Sequence, residues 1–193
     1  MEIVLASASP RRIDLMRLLD LPFTTLPTGA DEALPPEILP EQAVKTLALR
    51  KARAAAQRKG QALVIGADTV VAAEGQLLGK PADRADAARM LRLLSGSTHQ
   101  VYTGIALVGP DGEETFCRRT DVRFYPLDER EIAWYLDTGE PFDKAGAYGI
   151  QGKGAMLVEE ISGDYFNVVG FPVSLLAKKL KRRLERIAFE QVY

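Results

Sequence analysis

The chain has 193 residues, 47% hydrophobic and 26% charged, a balance that suits one folded domain and is wrong for a disordered chain. Its 25 basic residues against 26 acidic ones leave a formal net charge of −1, so bulk charge argues for neither nucleic acid nor membrane as a partner. With one histidine, His99, and one cysteine, Cys117, internal disulfides and Cys/His zinc sites are excluded. So are Cys–His and Ser–His catalytic pairs, unless His99 serves alone.

The first residues, Met1 to Ser7, carry no basic stretch, and their apolar run is too short for a secretion signal. No segment approaches the ~18 apolar residues of a membrane span, so a cytoplasmic protein is expected. Ile3 to Ala6 reads as a buried strand. Ser9-Pro10 then opens a helix to about Leu19, with serine at the N-cap and proline at the first helical position. Residues 27–40, rich in Pro, Gly and acids, read as a loop, and 41–59 as a helix stopped by Gly60. Residues 62–73 form an apolar β-type run closed by a turn at Glu74-Gly75-Gln76. Residues 82–94 are an amphipathic helix, and 101–108 with 114–125 a hairpin around Gly109-Pro110-Asp111-Gly112. Residues 128–137 form a helix with an Asp N-cap, and 172 to about 189 a closing helix. Between these two lie glycines at 146, 149, 152, 154, 163 and 170, which predict tight turns rather than regular structure. The mixed order of strands and helices predicts an α/β or α+β fold with a mixed sheet.

Several segments do not read as structural alone. In Ser7-Ala8-Ser9-Pro10-Arg11-Arg12, two arginines sit at a helix start, where the macrodipole disfavours cations by ~0.3–1 kcal/mol each. A strand, a serine-rich turn and a basic helix start resemble a phosphate cradle; solvated arginines are the alternative. Asp68 lies within Leu63-Val64-Ile65-Gly66-Ala67-Asp68-Thr69-Val70-Val71, where a carboxylate is costly unless paired or bound to metal, although it could also cap a turn. In Gly79-Lys80-Pro81 the neighbours restrict the backbone around one lysine. Gln151, among Gly149 and Gly152, carries a donor and an acceptor that could read a base edge, or it simply belongs to a glycine-rich loop. Glu32 is a loop carboxylate able to reach a divalent ion, and Lys51 stands in the basic stretch Arg50-Lys51-Ala52-Arg53. His99 reads as a satisfied surface or boundary residue and Cys117 as a small packed one.

In this order the segments resemble the Maf family of nucleoside triphosphate pyrophosphatases, from Ile3 to about Ser174. The resemblance rests on Ser7 to Arg12, Glu32, Lys51-Ala52, Gly66-Ala67-Asp68-Thr69, Gly79-Lys80-Pro81, Thr103-Gly104, Asp143 to Tyr148 with Ile150-Gln151-Gly152, and Gly163-Asp164-Tyr165 leading to Val169-Gly170-Phe171-Pro172. Asp14 and Phe171 stand where Glu and Leu are commoner. The resemblance implies an α/β fold with an elongated mixed sheet, flanking helices and two lobes sharing one core around a nucleotide cleft, as one domain over 1–193, often as a homodimer. It implies hydrolysis of NTP to NMP and pyrophosphate by water attack on the α-phosphorus, with Mg²⁺ or Mn²⁺ at Glu32 and Asp68. Catalytic roles fall to Asp68, Lys80 and Lys51, and substrate binding to Ser7, Ser9, Arg11, Arg12, Thr69 and Gln151. Arg12, Thr69 and Gln151 match the branch that acts on dTTP and UTP. Such chemistry needs positioned cations and a metal more than a nucleophile, which suits a chain with one histidine. Competing expectations are a pyrophosphatase for non-standard purine triphosphates, and a non-catalytic nucleotide- or nucleic-acid-binding regulator. The latter draws on the basic stretch Lys178-Lys179-Leu180-Lys181-Arg182-Arg183-Leu184-Glu185-Arg186.

Overall fold

A computed structural model describes residues 1–190. Seven strands form one mixed sheet in the order β2-β1-β3-β5-β6-β7, with β4 paired to β3. The strands are β1 (Ile3–Leu5), β2 (Thr24–Thr25), β3 (Leu63–Ala73), β4 (Gln76–Leu78), β5 (Thr98–Gly109), β6 (Gly112–Phe124) and β7 (Val158–Ser162). The helices are α1 (Pro10–Arg17), α2 (Pro40–Ala56), α3 (Arg84–Leu94), α4 (Glu129–Asp137), α5 (Tyr165–Val169) and α6 (Val173–Glu190). β1 runs parallel to β2 and β3, and the remaining pairings are antiparallel. The expected α/β fold with a mixed sheet and flanking helices is therefore the observed one.

Apolar patterning builds the cores. On one sheet face, Ala48, Ala52 and Ala55 of α2 pack on Val64, Ala106 and Val108. On the other, Leu15 and Met16 of α1 and Leu176 and Leu180 of α6 cover Ile65, Ile105 and Leu107. Farther along the same strands, Leu91 and Leu94 of α3 and Ile132, Tyr135 and Leu136 of α4 enclose Val101, Val122 and Phe124. Strands β5 and β6 run through both regions, each roughly 40 Å long at ~3.3 Å per residue. The predicted Asp128 N-cap is present as a full capping box with Glu131, and Asp83 caps α3 through the Asp86 N–H.

Three features differ from the sequence expectation. Thr24–Thr25 adds a two-residue edge strand. The glycine-rich stretch contains short 3-10 turns, the strand β7 and the helix α5 as well as turns. Ser9 stands at the N-cap of α1 yet makes no side-chain capping bond, which leaves that helix end open.

Two glycines bring α2 onto the sheet. A Cβ on Gly66 would lie 2.2 Å from the Ala48 carbonyl oxygen, and one on Gly104 would lie 2.5 Å from that of Val44. The outer edge of β3 is also interrupted. β1 pairs with it only as far as Leu5 opposite Ile65, and β4 begins at Val71 opposite Leu78. Between them, Gly66 to Val70 face a gap in the sheet.

Contrary to the expectation of a satisfied surface or boundary residue, His99 lies fully buried between the rings of Phe124 and Tyr148, with Nε2 2.8 Å from the Tyr148 hydroxyl and Nδ1 without a hydrogen-bond partner among the described residues. Desolvation lowers its pKa to about 4, against a small opposing pull from Asp121. An unfolded histidine titrates near 6.5, so below that pH the unfolded chain binds a proton that the folded chain refuses. Stability should thus fall as pH drops from about 6.5 towards 4, by about 2 kcal/mol at pH 5 from this residue alone. Urea denaturation at pH 7.5 and 5 checks this. His99→Gln should show the shallower dependence, and equal slopes would refute the assignment.

Candidate active site

The gap in the sheet opens into a cleft of about 820 Å³. Ser7, Ser9, Arg11, Arg12, Glu32, Lys51, Asp68, Thr69, Lys80 and Gln151 all line it. Residues from six separate regions of the chain are thus brought to one place.

Side chains alternate along β3, so Asp68 faces α2 while Thr69 faces α1 and α5. Asp68 is 8% exposed, and its Oδ1 is 2.5 Å from Lys51 Nζ. The same ammonium lies 2.7 Å from Glu32 Oε1. This hydrogen bond and charge hold the Glu32 carboxyl below the usual carboxylate range, and Lys80 and Arg12 add to the effect. Asp68 Oδ2 has no hydrogen-bond partner among the described residues.

Two carboxylates that converge on one ammonium can also converge on a hard divalent cation. No third Asp, Glu, His or Cys completes such a cluster among the described residues. That fits Mg²⁺-type binding, in which one or two carboxylates act with water and substrate phosphates.

The two arginines have different surroundings. Arg11 reaches across the cleft mouth to Asp143 at 3.3 Å, both side chains partly exposed. Arg12 turns inward. It donates from Nε to the Gly170 carbonyl at 2.9 Å, from Nη1 to that of Ala67 at 2.9 Å and from Nη2 to Thr69 Oγ1 at 3.1 Å. Burial lowers its pKa, and the nearby Asp68 opposes the shift. Arg12 therefore ties β3 to the α5 terminus, with its charge beside the cleft. Lys80 is exposed at the rim, and the neighbouring Gly79 carbonyl accepts from Gly146 N at 3.0 Å.

Gln151 is exposed at the apex of a fixed turn. Beneath it, Gly149 N donates to the Tyr135 hydroxyl at 3.1 Å, while Lys153 N and Gly154 N donate to the Glu140 carboxylate at 3.1 and 3.3 Å. Sequence reading did not single out Tyr135 or Glu140 for the site. No local signal links α4 to a turn that follows it.

The remaining candidates stay outside the cleft. Burial pushes the Cys117 thiol up to about 11, so it is protonated at neutral pH and unsuited to nucleophilic work. In the basic stretch of α6, Lys179 bonds Glu114 at 2.5 Å and Arg183 bonds Asp111 at 2.5 Å, which fastens the helix to the β5–β6 hairpin. The Arg186 side chain lies outside the described residues. No helix among the described residues is long and apolar enough to cross a membrane.

Comparison with known proteins agrees with the geometry. Residues 2–183 match the family described as Maf-like protein. A dTTP/UTP pyrophosphatase of Bacillus velezensis is 50% identical over 179 residues, covering 93% of this chain and 95% of its own. One from a Geobacillus species is 50% identical over 181 residues, covering 94% and 97%, and one from Bacillus anthracis 48% identical, covering 94% and 95%. Among solved structures, the Ham1 protein of Staphylococcus aureus matches with a TM-score of 0.57 at 18% identity, over 95% of this chain and 100% of that one. That likeness is one of fold.

Proposed function

This chain belongs to the Maf-like protein family, and from that premise we propose that it hydrolyses dTTP and UTP to the monophosphate and pyrophosphate. The observation that carries the reading is the Asp68–Lys51–Glu32 cluster, with Asp68 buried, beside an uncapped, basic helix start in one cleft. Around a triphosphate each part has work to do. The free N–H groups of α1 and the Arg11, Lys51 and Lys80 cations neutralise the phosphates, and a phosphate oxygen takes Arg11 from Asp143. Glu32 and Asp68 would hold a divalent cation, which would supply charge neutralisation and a more acidic water. Asp68 Oδ2, the oxygen that Lys51 leaves free, takes the proton of the water that attacks the α-phosphorus. Lys51 keeps the other oxygen fixed. Gln151, held from below by Tyr135 and Glu140, offers an amide to the pyrimidine edge.

Pyrophosphate release across standard, modified and non-standard purine triphosphates tests the proposal. The highest rates are expected on dTTP and UTP, and excess chelator should reduce them to background. Undiminished turnover in chelator would remove the metal from Glu32 and Asp68. Fastest release from inosine or xanthosine triphosphate would favour the purine reading.

A further inference from the structure

What the Thr69 hydroxyl can offer a ligand is decided by the hydrogen bonds behind it. Arg12 Nη2 donates to Thr69 Oγ1 at 3.1 Å. Thr69 Oγ1 and Thr103 Oγ1 are 2.9 Å apart, and Thr103 Oγ1 donates to the Asn167 carbonyl at 2.9 Å. A hydroxyl has one proton and two lone pairs. With the Thr103 proton on that carbonyl, Thr103 accepts from Thr69. Thr69 in turn spends its proton on Thr103 and one lone pair on Arg12. One lone pair remains, on a residue that lines the cleft.

We propose that Thr103 is a positioning residue for base selection. By drawing the Thr69 proton inward it presents the nucleotide with an acceptor only, and that acceptor takes the N3–H shared by thymine and uracil. The inference rests on the dTTP/UTP reading above. Turning the Thr69–Thr103 bond around would cost Thr103 its bond to the Asn167 carbonyl, because a hydroxyl has one proton to give. Thr103 is fully buried opposite Thr69 in the β3–β5 register, where a turned hydroxyl would lose its partners. An acceptor-only group repels phosphate oxygens, so Thr69 serves the nucleoside and the cations serve the triphosphate. Cytosine, with an acceptor at N3, brings lone pair against lone pair.

Steady-state kinetics on UTP, CTP and 3′-deoxy-UTP with wild type, Thr103→Val and Thr103→Ser tests the proposal. Inhibition by inorganic tripolyphosphate reports separately on the phosphate region. Thr103→Val keeps the shape, and the Asn167 carbonyl retains its bond from Gly170 N at 3.0 Å. It frees the Thr69 proton. The UTP:CTP ratio of kcat/KM should fall roughly tenfold, the worth of one neutral hydrogen bond, through KM rather than kcat. Thr103→Ser should restore the ratio, and tripolyphosphate inhibition should not change. An unmoved ratio overturns the proposal, as does a wild type without preference for UTP. Collapse of the 3′-deoxy penalty instead of the base ratio would mean that Thr69 serves the ribose, and also overturns it. Should Thr103→Val fail to fold, Thr69→Val must lose the same ratio or the proposal falls. If wild type turns over no triphosphate, the dTTP/UTP reading fails, and equilibrium binding of UTP and CTP to the same variants still reads the Thr103 effect.

Discussion

Asp68→Asn is expected to fold, bind dTTP and turn it over ~10²–10⁴ times more slowly, the range for removing a general base. Asn preserves the shape, so packing beside Lys51 changes little. Lys51 is not stranded by the loss, because Glu32 stays 2.7 Å from its ammonium. Removing a carboxylate that is 8% exposed also removes a desolvation cost, so the melting temperature should hold or rise. Triphosphate affinity should survive, since the cations remain and one competing negative charge is gone. Thermal melting, nucleotide affinity and turnover on this one variant separate chemistry from architecture. A normally melting variant within about threefold of wild-type turnover would remove Asp68 from the mechanism.

Gly66→Ala is expected to cost about 3 kcal/mol or more, at the upper end for overpacking a close contact. The added Cβ meets the Ala48 carbonyl oxygen at 2.2 Å and Ala52 N at 2.9 Å, backbone atoms that can yield only if α2 lifts. For a chain of this size that corresponds to a melting temperature lower by about 10 °C. The damage should reach the site. Lys51 adjoins Ala52 on α2, and Asp68 is two residues from Gly66 on the same face of β3. Lifting the helix separates the pair, so kcat should fall even well below the melting point. Gly60→Ala is the control, since a Cβ there meets nothing within 4 Å. Equal melting of the two variants would show that α2 does not depend on the close approach at Gly66.

The helix α4 was legible from Asp128, because a cap is a short-range pattern written within one turn, and α3 from its amphipathic spacing over 82–94. The long β5–β6 hairpin was legible for the same reason, from apolar runs around Gly109 to Gly112. β7 was not, because Gly152, Gly154 and Gly163 flank it with the composition of turns. The cleft residues could be named from their motifs. Their partners could not, because pairings such as Gly149 with Tyr135 or Thr103 with Asn167 join positions with no shared local pattern. Arg12 shows the limit most clearly. A basic helix start reads the same whether its guanidinium meets solvent, a phosphate or, as here, three acceptors of its own chain.

The gap between β1 and β4 has a further consequence, for solubility. An unpaired strand edge is a template on which other chains can add, and proteins blunt such edges with charge or cover. Here Asp68, Thr69 and Val70 of the bare stretch line a cleft, and the Arg12 guanidinium is seated on the Ala67 carbonyl. An extended strand would have to displace that guanidinium to pair there. The cleft proposed to take the nucleotide is thus also what closes this edge to polymerisation.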